Sequence, residues 1–541
     1  MPGDSGTPAG TRTAAAGPSA AAGGPRPPLA RLQCPGQVLR VPGVPAAHPG
    51  PLRAGYGGGF DAPAGDRVTR AARRRGGHPP GAGRSLGTLR QGPAARRGSG
   101  RTTGAFSPPR IDRPTGKLLR LPAGPAMKVR LSLWLFVLAL VLRLVYVLQE
   151  YPVPPQDTPD YDEIALNLLK GEGFVARENW FGFEMRSWRA PFYPFFLAAV
   201  YGVCGHSHLA VEVVQAVVGA GTVALLYGLG LRIWPPAALA AGLFAAVYGP
   251  LIVSAGEVMS ETWFTFWLVL AAYLLSVPKA RRRVLLGGGV AIGLAALTRP
   301  VGLLFWPAFA LVALLTAPRE GLRRSLWVGL ALGATILPWT VRNYLVHQAL
   351  VPISTHGGFI LARSNTTQPD WRQERGWGIT REIFVQIPSE VERDRRWQQQ
   401  GLEFIHTHPG LYLRLSAERL LRFWYFFQPG YNFWFTLLLP FFAVGLWRYG
   451  LREEFLLLSV FSALSLAAFC LVLYGSVRFR LPLEPFFILF AAAAAEDLIR
   501  QQGRRAWLLL GGVVAANLIF YWRDEALRAL VLDFLRQWQL K

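Results

Sequence analysis

Residues 127–148 read MKVRLSLWLFVLALVLRLVYVL, and this stretch decides the fold class. Two basic residues, Lys128 and Arg130, precede an apolar run that fills 131–148. That run approaches the roughly 20 apolar residues that a membrane-spanning helix needs. About ten similar runs follow it, and only 16% of all residues are charged, against about 25% in soluble domains. The sequence therefore predicts an all-α polytopic membrane protein.

The apolar runs predict 11 or 12 membrane-spanning helices. Basic residues gather in alternate connections between them, and the positive-inside rule places those connections in the cytoplasm. Two large connections, 149–208 and 346–431, then lie on the outer face. The short run 190–204 would upset the alternation if it spanned, so we interpret it as re-entrant or interfacial. The predicted spans are 131–148, 209–231, 237–255, 262–277, 284–297, 301–317, 325–345, 432–447, 455–474, 483–495 and 506–521.

Three amphipathic stretches outside these spans predict helices that lie along the membrane surface. The first is Tyr161–Leu169, whose apolar residues share one helical face and whose acids are expected to face water. The second is Leu411–Phe427, and the third is the tail Trp522–Lys541. The fold expected is thus a helical membrane bundle with surface helices in its outer loops.

Residues 1–126 differ from the rest of the chain. They are rich in Gly, Pro, Ala and Arg, with 19 Lys and Arg against 4 Asp and Glu. Such a stretch buries too little apolar surface to fold, so we expect it to be disordered. We also expect 1–126 to be an extension that results from an upstream start, with the functional chain beginning at Met127. The remaining divisions expected are a catalytic membrane module (127–345), a large outer loop (346–431), and C-terminal helices with an amphipathic tail (432–541). No folded basic domain remains to bind nucleic acid.

The cysteines and histidines give no metal or disulfide signature. Cys34, Cys204 and Cys470 are isolated along the chain. His206-Ser-His208 and His406-Thr-His408 have no acidic or cysteine companion at ligand spacing, so metal binding is not expected there. No cofactor is identified, and a divalent metal requirement stays open.

Chemistry is expected where charges gather at the predicted outer face. Acids fill 156–163 (QDTPDYDE), directly after the first span, and arginines follow the later spans. Membrane proteins place ionisable groups at such positions chiefly for function, and guanidinium groups bind phosphate oxygens through paired hydrogen bonds. Other interpretations stay open, because Asp160 suits a helix N-cap, Glu261 begins a helix, and Arg478 and Arg480 could anchor to lipid headgroups.

Several short motifs resemble one family when they are taken in order. These are Asp157-x-x-x-Tyr161-x-x-Ile164-Ala165-x-x-Leu168-Leu169-x-Gly171, Arg189-Ala-Pro191-Phe-Tyr193-Pro194, Ser260-Glu261, Thr298-Arg299-Pro300, Pro338-Trp339-x-x-Arg342-Asn343 and Arg478-x-Arg480-x-Pro482. Together they resemble the bacterial dolichyl-phosphate-mannose-protein mannosyltransferases of glycosyltransferase family 39, which have the GT-C fold, and the related lipid A aminoarabinose transferase.

The resemblance implies an inverting transfer of a sugar from a polyprenyl-phosphate carrier to a hydroxyl group. The acceptor would be a protein, lipid or glycan on the periplasmic side of a bacterial inner membrane. It implies that Asp157 activates or orients the acceptor and that Glu261 pairs with Arg189. The chain departs from the protein mannosyltransferases in its first loop, where Asp162-Glu163 follows Tyr161. Mannose and a protein acceptor are therefore not implied.

The residues themselves fit such a reaction. A carboxylate can take the acceptor proton, and arginines can hold the charge of the leaving phosphate. A transporter or flippase of a lipid-linked sugar would use the same arginines without a base, and a glycan polymerase or ligase is a third possibility. The catalytic candidates are Asp157 and Glu261. The substrate-binding candidates are Asp160, Tyr161, Arg189, Arg299, Arg342, Asn343, Arg478 and Arg480.

Overall fold

The computed structural model describes residues 124–150, 159–177, 184–277, 280–366, 387–426, 432–473, 475–526 and 529. All of them belong to one compact unit. Within these ranges the chain is helical, and its extended pairing is limited to an isolated bridge between Ala176 and Met185. The prediction of an all-α membrane protein is confirmed. The stretch 1–123, for which disorder is predicted, lies outside the described residues.

Many of the helices follow one another through short connections. Short 3-10 turns occur at Pro235–Ala237, Pro300–Leu304, Val477–Phe479 and Leu481–Leu483, and a π-helical turn, Ala468–Val472, continues one helix. The helices are α1 (Pro125–Glu150), α2 (Pro159–Leu169), α3 (Phe192–Cys204), α4 (His208–Ile233), α5 (Ala238–Val247), α6 (Gly249–Val253), α7 (Glu261–Leu275), α8 (Arg282–Thr298), α9 (Phe305–Thr316), α10 (Pro318–His347), α11 (Gly357–Ser364), α12 (Glu390–Thr407), α13 (Pro409–Trp424), α14 (Phe433–Tyr449), α15 (Glu453–Ala467), α16 (Glu484–Gln502) and α17 (Arg504–Trp522).

Four of the described helices are long and apolar enough to cross a membrane by length and composition. They are α1, α4, α15 with its π-helical turn, and α17. The helices at the other predicted spans do not meet both criteria, and they range from the 5 residues of α6 to the 30 residues of α10. The number of crossings therefore stays a prediction. The predicted span 237–255 is broken, because α5 ends at Val247 and Pro250 lies in the first turn of α6. Proline is tolerated at the start of a helix but not in its interior.

Two of the predicted surface helices are present. Helix α13 includes residues 411–424 of the amphipathic stretch 411–427, and α2 includes all of 161–169. Helix α3 has 13 residues, or about 20 Å at 1.5 Å per residue, which is short for a hydrocarbon core of about 30 Å. This length agrees with a re-entrant or interfacial position. The third predicted helix, 522–541, lies mostly outside the described residues.

An acid next to the predicted stretch 161–169 is buried. Ile164 and Ala165 are buried as predicted, and Asp162 and Glu163, the acids of the stretch, are half-buried, whereas Asp160, which precedes the stretch, is only 6% exposed. The reason is an ion pair with Arg189, described below, which compensates the charge that burial would otherwise penalise. Leu169, at the other end of the helix, is exposed.

Two hydrophobic clusters organise the bundle. The larger one joins the early and late helices, as the ring contact at 4.6 Å between Phe305 and Phe461 illustrates. The smaller one joins the first outer loop to the helices of the second, through Trp188, Phe359 and Trp397. The two large outer loops therefore fold against each other.

Glycines allow α8 and α10 to approach closely. A Cβ atom added at Gly289 would lie 2.3 Å from the carbonyl oxygen of Val328 and 2.7 Å from the Cβ of Ala331. Gly289 is thus a close-packing position between α8 and α10, because small residues let helix backbones approach.

We expect Gly289→Ala to destabilise the protein and Gly287→Ala to leave it stable. Both changes favour the helix by the same amount, but only the first forces a methyl group onto backbone, which typically costs about 1–3 kcal/mol. At Gly287 the nearest atom is the end of the flexible Leu274 side chain, at 3.5 Å. Thermal unfolding of both variants in detergent is the measurement. Equal melting temperatures would contradict the close approach.

Candidate functional site

The candidate site is a buried ion-pair cluster of Glu261, Arg299 and Arg478. Glu261 Oε1 lies 2.8 Å from Arg478 Nε and 3.1 Å from Arg299 Nη2. Glu261 is 4% exposed, and the two arginine side chains are 12% and 14% exposed. One carboxylate oxygen therefore holds two guanidinium groups that come from distant parts of the chain.

The fold explains why these three residues meet. Glu261 is the first residue of α7, and Arg299 directly follows α8. Since α7 and α8 pack against each other and run in opposite directions, the start of one lies beside the end of the other. Arg478 lies in the 3-10 turn that precedes α16. The three charges, which come from separate turns of the chain, thus converge as predicted, and their position at the outer face stays a prediction.

A second acid, Glu257, lies in the turn just before Glu261. Gln215 of α4 holds this turn by donating hydrogen bonds to the carbonyl oxygens of Ala255, at 3.0 Å, and Glu257, at 2.6 Å. Burial, and then the charge of Glu261, raise the pKa of Glu257 to about 8, although Arg478 opposes this shift. Glu257 is thus mostly protonated at neutral pH. Two guanidinium groups and one carboxylate leave the cluster with a net charge of about +1.

The other predicted residues at this end of the bundle form a second cluster around Arg189. Its guanidinium group pairs with both carboxylate oxygens of Asp160, with Nη2 lying 3.3 Å from Oδ1. It also lies over the ring of Tyr161, 4.6 Å from the centroid, within the range of a cation–π contact. Asp160, Tyr161 and Arg189 therefore come together as one unit.

Aromatic and small residues connect the two clusters. The ring of Tyr161 contacts Tyr193 at 5.2 Å, and Phe196 contacts Trp263, two residues beyond Glu261, at 4.9 Å. Ala190 shares a small apolar cluster with Ala296, three residues before Arg299. The pairing between clusters differs from the one implied by the resemblance, because Glu261 pairs with Arg299 and Arg478 rather than with Arg189. The acid that pairs with Arg189 in the fold is Asp160.

Arg342 and Asn343 hold the loop that carries Arg189. Arg342 Nη1 donates to the carbonyl oxygen of Arg186 at 2.7 Å, and Nη2 to that of Phe174 at 3.2 Å. Asn343 accepts a hydrogen bond from the Ser187 hydroxyl at 2.9 Å. These contacts favour a supporting role, and substrate binding by either residue stays a prediction.

Arg480 differs from Arg478 in its surroundings. Its side chain is fully buried, with Nε 2.8 Å from Glu484 Oε1 and Nη1 2.9 Å from the carbonyl oxygen of Phe423. The ring of Phe435 lies 3.3 Å from the guanidinium carbon. These contacts point to a structural role instead of the predicted substrate contact. The physical reason is that the Arg480 side chain is buried in the core, where a substrate at the surface cannot contact it.

Glu390 was not identified from the sequence. It begins α12 and accepts hydrogen bonds from the backbone N–H of Arg186, at 2.8 Å, and of Ser187, at 3.1 Å. It also accepts one from the Thr355 hydroxyl. More than 200 residues separate Glu390 from its loop partners, so no local pattern marks it. It lies inside the motif Ser389-x-x-Glu392, which signals only a helix N-terminus.

Asp157, the predicted base, lies outside the described residues. His206 and His208 do have an acidic companion in space, because Asp162 of α2 lies beside them. The sequence missed this companion because a whole outer loop separates α2 from the start of α4.

The raised pKa of Glu257 predicts a pH-dependent stability. A carboxyl group whose pKa is higher in the folded state stabilises that state below its unfolded pKa, and the effect is lost as pH rises through about 8. We therefore expect the melting temperature to fall between about pH 5 and pH 9, and Glu257→Gln to flatten that fall. Melting curves over this pH range provide the measurement. An unchanged slope in the variant would assign the effect to another group.

A family model supports the resemblance that the motifs indicate. Residues 188–341 match the model described as dolichyl-phosphate-mannose-protein mannosyltransferase. The matched range includes Arg189, Glu261 and Arg299 of the two clusters. No curated protein sequence matches the chain.

Solved structures of membrane glycosyltransferases are similar at low identity. An oligosaccharyltransferase from Archaeoglobus fulgidus in the apo form gives a TM-score of 0.48 at 13% identity, covering 73% of this chain and 54% of that one. ArnT from Cupriavidus metallidurans, bound to undecaprenyl phosphate, gives 0.43 at 14% identity, covering 71% of this chain and 61% of that one. The chain thus spans little more than half the length of these proteins. Over 188–341, the family match confirms the resemblance to the dolichyl-phosphate-mannose-protein mannosyltransferases.

Proposed function

We propose that the chain is a membrane glycosyltransferase. It transfers a sugar from a polyprenyl-phosphate-linked donor to a hydroxyl group of a protein, lipid or glycan, with inversion, at the periplasmic face of a bacterial inner membrane. The observation that carries this proposal is the Glu261–Arg299–Arg478 cluster, which concentrates positive charge at the ends of membrane helices. The family model, named for a dolichyl-phosphate-mannose donor, matches the range that holds two of its three residues.

The charge of the cluster suits a lipid-linked phosphate. A sugar phosphodiester carries one negative charge, which balances the net charge of about +1 on the cluster. Because the three side chains are largely withdrawn from water, an anion bound there interacts more strongly than it would at an exposed site. When the sugar leaves, the phosphate gains a second charge, and arginines stabilise such developing charge.

The base of the reaction is proposed from the sequence. In the sequence, Asp157 lies two residues before Pro159, the first residue of α2. Asp160, in the first turn of that helix, pairs with Arg189. A carboxylate there would take the proton of the acceptor hydroxyl as the oxygen attacks the anomeric carbon. The bond from that carbon to the phosphate oxygen breaks in the same displacement. A single displacement from the opposite side inverts the anomeric configuration.

The supporting residues explain how such a site keeps its geometry. Glu390 and Arg342 fix the backbone at Arg186 and Ser187, two residues before Arg189. Gln215 fixes the turn before Glu261. Positioned charges lower a barrier because they need no reorganisation during the reaction. The shape of the pocket decides which sugar and which acceptor bind.

We expect Arg299→Gln to weaken binding of undecaprenyl phosphate by about 10- to 100-fold, since charge-assisted hydrogen bonds contribute about 1.5–3 kcal/mol. The matched control is Arg282→Gln, because Arg282 lies exposed at the opposite end of the same helix, α8. Binding of purified protein to the lipid in detergent micelles is measured by isothermal titration calorimetry. Equal loss in both variants would refute a phosphate site at the Glu261 cluster.

We expect Asp157→Asn to abolish sugar transfer while leaving undecaprenyl-phosphate binding intact, because the amide cannot accept the acceptor proton. Mass spectrometry of surface glycans and glycoproteins first identifies the product lost in a deletion strain. The strain is then complemented with wild type or the variant. A transporter would restore the product with Asp157→Asn, and that result would overturn the enzyme proposal.

A further inference from the structure

A second polar cluster lies apart from the proposed phosphate site, where α2 meets the turn between α3 and α4. Asp162 Oδ2 lies 2.7 Å from His206 Nε2, and Asp162 Oδ1 lies 3.4 Å from His208 Nε2. The three ligand atoms lie within 4.8 Å of one another, and no other described residues form such a group of three or more His, Cys, Asp and Glu side chains. None of the three residues belongs to the site already described.

The backbone explains why both histidines reach the same carboxylate. Gly205 ends α3 with φ +72°, and Ser207 caps α4 by accepting a hydrogen bond from the Ala210 N–H. Ser207 itself is extended, with φ −125° and ψ 107°. Residues on either side of an extended residue project to the same side, so His206 and His208 face α2 together.

Two imidazoles and one carboxylate are a ligand set that zinc takes in proteins. Zinc binds such nitrogen and oxygen atoms at about 2.0–2.2 Å, commonly with three protein ligands and a water molecule. Tetrahedral coordination at that distance separates ligand atoms by about 3.3 Å. The present separations of 2.7 and 3.4 Å are near that value, so side-chain rotations alone can admit an ion.

Neighbouring groups suit a cation. The Tyr201 hydroxyl donates a hydrogen bond to Asp162 Oδ1 at 2.5 Å, and partners of this kind orient metal-bound carboxylates. Glu212, one turn along α4 from His208, is buried and interacts electrostatically with that histidine. The histidine side chains are 47% and 21% exposed, which leaves a path for an ion from solvent.

We propose that Asp162, His206 and His208 bind a divalent transition-metal ion, with zinc favoured by the ligand set, and that a water molecule completes the coordination. The ion would fasten α2 to the turn between α3 and α4. Because Asp160 and Tyr161 precede Asp162 on α2 and contact Arg189, this fastening would also steady the Arg189 cluster. The proposal does not depend on glycosyl transfer.

The test uses the full chain, purified in detergent without a polyhistidine tag and stripped with a chelator. We expect one equivalent of Zn²⁺ to bind per chain by isothermal titration calorimetry and elemental analysis, and to raise the melting temperature. Binding by the stripped wild type requires no variant to fold. If the stripped protein binds no Zn²⁺ at micromolar concentrations, the three side chains form only a hydrogen-bonded cluster, and the proposal is overturned.

The variant His206→Ala/His208→Ala is expected to lose that equivalent of Zn²⁺. The matched control is His406→Ala/His408→Ala, which removes a second His-x-His pair of the same spacing. Among the described residues, that second pair does not belong to a group of three possible metal ligands. Asp162→Asn tests the carboxylate, and the visible spectrum of bound Co²⁺ reports tetrahedral geometry. Zinc retained by the first variant, or lost equally by the control, would contradict the assignment.

Discussion

The structure depends on one carboxylate shared by two guanidinium groups. Glu261 Oε1 contacts both Arg299 and Arg478, and all three side chains are largely withdrawn from water. Isolated charges in such a position are costly, and removal of one partner from a buried ion pair typically costs about 3–5 kcal/mol. The pairing therefore ties α7, α8 and the turn before α16 together at one end of the bundle. With two guanidinium groups for one carboxylate, the cluster keeps a net positive charge.

The Arg189 cluster follows the same rule. Asp160 compensates the charge of Arg189, and the surrounding loop is fixed by polar contacts to its backbone. Glu390 accepts from the N–H groups of this loop, whereas Arg342 donates to its carbonyl oxygens. Irregular backbone near a membrane needs such partners because few water molecules are available to replace them. Glu390 and Arg342 thus supply the polar partners that hold the Arg189 loop beside the bundle.

Local patterns in the sequence predict the helices, but not the partners of the charges. Hydropathy and amphipathic periodicity, which act over a few turns, locate α1, α2, α4 and α13. The contact between Glu261 and Arg478 joins residues 217 positions apart, and Asp162 meets His206 across 44 positions. Sequence position suggests that such groups share a face, but three-dimensional proximity decides which of them pair. The resemblance implied that Glu261 pairs with Arg189, whereas in the fold Glu261 pairs with Arg299 and Arg478, and Arg189 pairs with Asp160.

Arg478 and Arg480 show the same principle at the shortest range. Both are arginines two positions apart, so the sequence alone does not distinguish their roles. The 3-10 turn at Val477–Phe479 makes the two side chains point in different directions. Arg478 reaches Glu261 and remains 12% exposed, whereas Arg480 enters the core, where its Nε donates to Glu484 and its Nη1 to two carbonyl oxygens. A side chain that is fully buried in the core is out of reach of a phosphate at the surface of the bundle. Arg478, at the border between core and outer surface, can hold the fold together and also contact an anion.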